Sequence, residues 1–267
     1  MKHEKNVKKN SSFFLMAIIV ILAVFTAVVL AFGRMLPADE VAQAAAISDT
    51  LVEVSDQPTI IAMVPKETAL TRGMIFYPGA RVDPAAYVPL LKPLAEEGIL
   101  VVIPKMPLGF AVLDINKAAE IQSAYPQVTC WVIGGHSLGG SMAAEYVANH
   151  PQSIYGIVFI ASYPAKNTSL RDDDLKGLSI NGSLDGLATQ EKINAVKNNF
   201  PQDSTFIVLD GANHAQFGDY GAQVGDNEAT MSQAAQQEAT SRAILEFING
   251  LNGTCIQQEP VDGSKDG

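Results

Sequence analysis

The chain has 267 residues, 48% of them hydrophobic, and its 18 basic and 28 acidic side chains give a formal net charge of −10. That length and apolar content suffice for one large α/β domain with a full core. The acidic balance repels phosphate backbones and anionic headgroups at long range, so nucleic acid is excluded as a partner.

Residues 1–12 form a basic tail, with Lys2, Lys5, Lys8 and Lys9 against the single acid Glu4. Residues 13–32 follow as twenty residues without a charge, long enough for a helix that crosses a bilayer. The positive-inside rule then predicts a single-pass protein of the cell membrane, its N-terminus cytoplasmic and everything after Gly33 outside. Beyond the tail, 14 basic and 27 acidic residues remain, a net of −13. The competing reading is secretion after signal cleavage. Signal-peptide apolar regions usually run about 7–15 residues. Ala42-Gln43-Ala44 resembles a cleavage site but lies well beyond the apolar run.

Residues 33–50, Ala-rich and polar, read as a linker, and 51–252 as the folded domain. Strands are predicted at 51–54, 60–64 and 74–77, the last running into Pro78-Gly79-Ala80-Arg81. A helix at 85–97, a strand at 99–103 and a helix at 114–125 come next. The apolar run at 130–133 then passes through two glycines into Gly135-His136-Ser137-Leu138-Gly139 and directly into a helical pattern. Strand, tight turn and helix are the context that gives G-x-S-x-G its meaning. Such a turn leaves no room for Cβ atoms at Gly135 and Gly139, lifts the Ser137 hydroxyl clear of the sheet, and points helix amides at the place of attack.

Further strands are predicted at 154–160, 178–181 and 205–209, with helices at 189–198 and 232–249 and a polar tail at 253–267. Strands separated by helices imply an α/β fold, a mainly parallel eight-stranded sheet covered on both faces. The segment between Ile160 and Leu178 is too short for a large lid domain. A Gly-rich turn carrying Asp185 follows the seventh strand, and a loop carrying His214 follows the eighth. Of four histidines, His3 lies in the tail, His136 within the turn and His150 at the end of the following helix, which leaves His214 as the candidate base. The acid has competitors in Asp210 and Asp219. Asp185 is preferred because it follows a separate strand and can approach the imidazole from the side away from the serine. Asp172, Asp173 and Asp174 read as a solvated loop.

The order Ser137, Asp185, His214, carried by GGHSLGGSMAAEY, SINGSLDGLAT and GANHAQFGDYG after FYPGARVDPAAY and VVIPKMPLGFAVLD, resembles the α/β-hydrolase superfamily. The likeness is to its compact, dienelactone-hydrolase-like bacterial members and runs from about residue 60 to 248. The resemblance implies a catalytic triad of those three residues and an oxyanion hole from the amides of Leu138 and Ala80. Pro78-Gly79 stands where the family usually has His-Gly. It also implies a small carboxylic ester or lactone as substrate, an acyl-enzyme, and no cofactor. Thioesterase, acyltransferase and peptidase variants remain open, as does a hydrolase fold kept for binding alone.

Four more residues are candidates for substrate contact. Arg81 and Lys105, pointing inward, would form a cationic spot suited to a carboxylate-bearing ester; pointing outward they are solvated surface charges. Met106 and Tyr163 would be apolar walls, or in the case of Met106 plain core. Cys130 and Cys255 both fall at the end of the sheet remote from the triad, where a disulfide is geometrically allowed and export makes it chemically allowed. No Cys/His cluster has metal-ligand spacing. Gln216, Phe217 and Tyr220 could line the pocket or order the histidine loop. Asp219 and Asp226 invite a calcium-loop reading but lack the regular ligand spacing, and a structural loop into the last helix is preferred.

Overall fold

Alternation along the strands places the core on both faces of one sheet. In β3 (Arg72–Tyr77) Met74 and Phe76 join one buried cluster while Ile75 and Tyr77 join another. In β4 (Leu100–Pro104) Val101 and Ile103 go with the first, Leu100 and Val102 with the second. A sheet buried on both sides reads as continuous apolar sequence. β5 (Cys130–His136) is buried at every position.

This computed structural model describes residues 35–251 together with Met16 and Cys255. The chain divides into units 1–35 and 36–267, and of the first only Met16 and Met35 are described. The predicted bilayer span at 13–32 therefore lies outside the described residues, as do 1–12 and all but Cys255 of 253–267. Among the described residues, no helix is long and apolar enough to cross a membrane.

The remaining strands are β1 (Val52–Asp56), β2 (Ile60–Pro65), β6 (Gly156–Ile160), β7 (Lys176–Gly182) and β8 (Asp203–Leu209). The eight lie in the order β1-β2-β4-β3-β5-β6-β7-β8. β1 with β2 and β2 with β4 are antiparallel; every other pair is parallel. Helices α2 (Val88–Glu96) and α6 (Gln233–Gly250) pack together and contribute Leu90, Leu91, Leu94, Ile244 and Ile248 to one cluster. Helices α3 (Lys117–Ala124), α4 (Leu138–Asn149) and α5 (Gln190–Ala195) contribute Ala118, Ile121, Ala143, Ala144, Val147 and Ile193 to the other. The helix expected at 85–97 opens as a 3-10 turn, Pro84–Tyr87, before α2. No helix or strand interrupts 161–175, so no lid domain covers the strand ends.

The stretch expected to be a linker carries α1 (Glu40–Ala45) instead. Asp39 caps it, accepting from the amides of Val41 and Ala42 at 2.9 and 3.1 Å. Ala42 is fully buried, and Lys92 of α2 binds Asp49 at 2.7 Å and the Ala45 and Ile47 carbonyls. Small side chains allow that close docking, and the cap followed by an acidic first turn was the signal for it. Leu36 also bonds on either side of the β3 loop, its N–H to Arg81 O at 2.7 Å and its carbonyl from the Asp83 amide at 2.9 Å.

Cys130 and Cys255 form a disulfide with Cα atoms 5.3 Å apart, closing a separation of 125 residues. Loop-closure entropy for a ring of that size is on the order of 4–5 kcal/mol. The bond sits where β5 begins, at the opposite end of that strand from Ser137.

Candidate active site

Backbone strain collects at one end of the sheet. Among the described residues four non-glycines have positive φ: Arg81, Leu108, Ser137 and Ala161. Arg81, Ser137 and Ala161 lie within four residues after β3, β5 and β6, and Leu108 lies in the turn after β4. Conformations of this kind cost about 1–3 kcal/mol each and persist where the surroundings over-determine them. Ser137 has φ 52° and ψ −123°, between the last residue of β5 and the first of α4. The turn is tight enough to demand glycine on both sides. A Cβ at Gly139 would stand 2.1 Å from Tyr77 O, and one at Gly135 would stand 2.5 Å from the Gly139 carbonyl carbon.

Ser137 shares a cavity of about 240 Å³ with Leu138, Ser141, Ala161, Ser162, Tyr163, Leu187, Ala188 and His214. A larger cavity of about 680 Å³ lies at the opposite ends of β6, β7 and β8, around Asp172, Lys176 and Asp203, and contains neither histidine nor G-x-S-x-G serine. His214 is 1% exposed, and its Nδ1 lies 2.9 Å from Asp185 Oδ2. The other oxygen of Asp185 accepts from the amides of Leu187 and Ala188 at 2.8 and 2.7 Å, so the carboxylate is fixed on both sides. The acceptor at Nδ1 places that proton on Nδ1 and leaves Nε2 as the basic nitrogen. Nε2 is buried and has no partner among the described residues. Asp210 instead accepts from Ser183 Oγ at 3.1 Å, and Asp219 accepts from Gln233 and Gln237 at 2.6 and 2.8 Å.

The loop after β3 lies against the start of α4, since Gly139 abuts the carbonyls of Tyr77 and Pro78. Its amides are nearly all engaged: Gly79 donates to Tyr87 Oη at 3.0 Å, Arg81 to Gly109 O at 2.7 Å and Val82 to Gly79 O at 3.2 Å. The Ala80 amide has no acceptor among the described residues, and neither has that of Leu138, the first residue of its helix. Of these two residues Leu138 lines the Ser137 cavity, whereas Ala80 is not among its lining residues.

His136 lies behind the serine, fully buried, in a relay that sequence reasoning did not find. Tyr87 Oη accepts the Gly79 amide and donates to His136 Nδ1 at 2.8 Å, and His136 Nε2–H donates to the His214 carbonyl at 3.1 Å. The relay ties the loop after β3 to the histidine loop and fixes His136 as the neutral Nε2–H tautomer. Burial drives the His136 pKa well below the usual histidine range, and the neighbouring His214 ring adds to it. The native protein thus refuses a proton that the unfolded chain takes up near pH 6.5. Stability from this group is complete above about pH 6.5 and is lost as pH falls below it, by at most about 1.4 kcal/mol per pH unit. Between pH 6.5 and 5, the melting temperature of His136→Gln is expected to fall less steeply than that of wild type. Parallel slopes would contradict this.

The candidate substrate residues are only partly brought together. Tyr163 and Leu138 line the cavity. Lys105 does not. Its amide extends the β2–β4 pairing by bonding Thr59 O at 2.8 Å, and its Nζ pairs with Asp56 Oδ1 at 2.5 Å. An acidic partner at the end of β1 draws the cation away, so no paired cationic spot forms. Arg81, half-buried in its own loop, is not among the cavity-lining residues. Met106 is 8% exposed and packs in the core with Ala111 and Ile121, its alternative reading. Gln216, Phe217 and Tyr220 do not line the cavity; Phe217 is fully buried in the core behind it. Among the described residues, no three His, Cys, Asp or Glu side chains converge as a metal site.

Solved structures with the same fold include a predicted CIB-like hydrolase from Thermoplasma acidophilum, 18% identical, covering 75% of this chain and 98% of its own, with a TM-score of 0.57. A thermophilic esterase from Thermogutta terrifontis is 13% identical over 75% of this chain and 97% of its own, with a TM-score of 0.54. A dienelactone-hydrolase-like protein from Klebsiella pneumoniae is 15% identical over 74% and 98%, with a TM-score of 0.53. No curated protein matches the sequence. The model of the Alpha/beta hydrolase family matches residues 73–238, from β3 through the Ser137 turn and the loops that carry Asp185 and His214. With more than half its length matched, the chain belongs to the alpha/beta hydrolase family.

Proposed function

We propose that the protein is a serine hydrolase that cleaves a small carboxylic ester or lactone through an acyl-enzyme. One observation carries the reading: Ser137, held at positive φ, shares a cavity with His214, whose Nε2 is unpartnered and whose Nδ1 is anchored to Asp185. His214 Nε2 takes the serine proton as Oγ attacks the carbonyl carbon, and Asp185 stabilises the imidazolium that forms. The amides of Ala80 and Leu138 receive the oxyanion, a contribution of about 3–4 kcal/mol per donor in comparable sites. The leaving alkoxide takes the proton from His214. Water, deprotonated by the same nitrogen, then attacks the acyl-enzyme to release the acid and restore Ser137.

A cavity of about 240 Å³ with no lid domain over it favours a small acyl group. The thermophilic esterase among the structural neighbours agrees with an ester substrate. Placement at the outer face of the cell membrane, with residues 13–32 as an uncleaved anchor, belongs to the same proposal and rests on the sequence. The Cys130–Cys255 disulfide supports export, because such bonds persist in oxidising compartments.

The test is a panel of p-nitrophenyl esters from acetate to laurate with the full-length chain. Acetate and butyrate are expected to be turned over and laurate much more slowly. A folded protein inactive on every ester, thioester and lactone would favour the binding reading instead.

A further inference from the structure

The loops that carry Asp185 and His214 are gripped from outside by one short segment, Asp226-Asn227. Asp226 Oδ1 accepts from the Gly186 amide at 3.0 Å, and Asp226 Oδ2 accepts from the Ala215 amide at 2.8 Å. Those amides belong to the residues immediately after the acid and immediately after the base. Asn227 grips the residues immediately before them: its Nδ2 donates to Leu184 O at 3.0 Å, and its carbonyl accepts from Asn213 Nδ2 at 2.8 Å. Four hydrogen bonds from two consecutive residues thus bracket both triad members. The fit is close, since a Cβ at Gly186 would stand 2.5 Å from Gly225 O and 3.0 Å from Asp226 Cα.

We infer that Asp226 and Asn227 are positioning residues that set the Asp185–His214 geometry, a role that rests on the hydrolase reading above. On the sheet side the two loops are joined by the bond from the Leu184 amide to Ala212 O at 2.9 Å. The 226–227 strap closes the other side, and it does so with little core of its own. Residues 221–229 contain no helix or strand, and Gly225, Asn227 and Glu228 are exposed. A segment this exposed stabilises the fold little by burial. Its polar groups are spent instead on four backbone and amide contacts next to a hydrogen bond that must hold to within about 1 Å, since misplacement on that scale costs on the order of 100-fold in rate. The Asp226 carboxylate suits the task because both its oxygens accept. The isosteric amide of Asn keeps one accepting oxygen and turns the other into a donor facing a donor.

The experiment compares wild type with Asp226→Ala and Asp226→Asn in the full-length chain, by steady-state kinetics on p-nitrophenyl acetate and by NMR of the ¹⁵N-histidine-labelled protein in detergent. Wild type is expected to show a downfield Nδ1–H resonance of the His214–Asp185 bond, assigned by its loss in His214→Asn. In Asp226→Ala that resonance broadens or disappears, while melting shows a folded protein. There kcat falls about 10- to 100-fold with KM within about 2-fold, and Asp226→Asn falls in between. A His214 resonance unchanged in both variants overturns the proposal whatever the activity. If the resonance is lost in Asp226→Ala but wild type hydrolyses no ester, the strap stands and the hydrolase reading falls.

Discussion

Replacing Ser137 by alanine is expected to lower kcat for ester hydrolysis by at least about 10⁴-fold, with KM nearly unchanged. Alanine retains the backbone shape of the turn and removes only Oγ, the atom whose proton His214 Nε2 takes in the proposed mechanism. The Ala80 and Leu138 amides remain, so a small residual rate above the uncatalysed reaction is expected, of the kind oxyanion donors alone supply. The strain at φ 52° is not relieved by alanine, which also disfavours that region, and the melting temperature should change by little. Steady-state kinetics with circular dichroism melting on the same preparations checks both expectations. A Ser137→Ala variant within about 10-fold of wild type would remove the serine from the mechanism.

Changing Asp185 to asparagine is expected to cost about 10⁴-fold in kcat through the tautomer of His214. Asp185 Oδ1 faces two backbone amides at 2.8 and 2.7 Å, and both demand an acceptor there. An asparagine at this place must therefore put its carbonyl oxygen on Leu187 and Ala188 and its NH₂ against His214 Nδ1. A donor at that position forces Nδ1 to accept and moves the ring proton to Nε2, where it blocks uptake of the serine proton. The loss should appear in kcat and not in KM, with folding retained. A near-wild-type Asp185→Asn enzyme would instead assign the acid to another carboxylate, and Asp210 would be the first to test.

What made this site readable from sequence was backbone constraint. Gly135 and Gly139 are required because carbonyls of the neighbouring strand stand where their Cβ atoms would be, and that requirement is written into the sequence. Asp185 and His214 were found by position, each just past a predicted strand, because parallel strands deliver their following loops to one end of the sheet. The mainly parallel eight-strand pattern was readable for the same reason, from apolar runs such as that at 130–133 separated by helical segments. Contacts made by side chains across long separations were not. Nothing in the local pattern around Lys105 shows that Asp56 is close enough to take its charge. Tyr87 and His136 are 49 residues apart, and their bond depends on the approach of β3 to β5. Asp226 drew only a calcium-loop reading, set aside for a structural loop, because its two amide partners are 40 and 11 residues away. The helix at Glu40–Ala45 was hidden by alanine-rich composition, although its Asp39 cap was in view.

An activated Ser137 is detectable by treating the full-length chain with a fluorophosphonate probe and mapping the adduct by peptide mass spectrometry. A single adduct on Ser137 is expected, lost in Ser137→Ala and falling sharply in His214→Ala. A folded protein that takes up no probe, or takes it up at a residue other than Ser137, would contradict it.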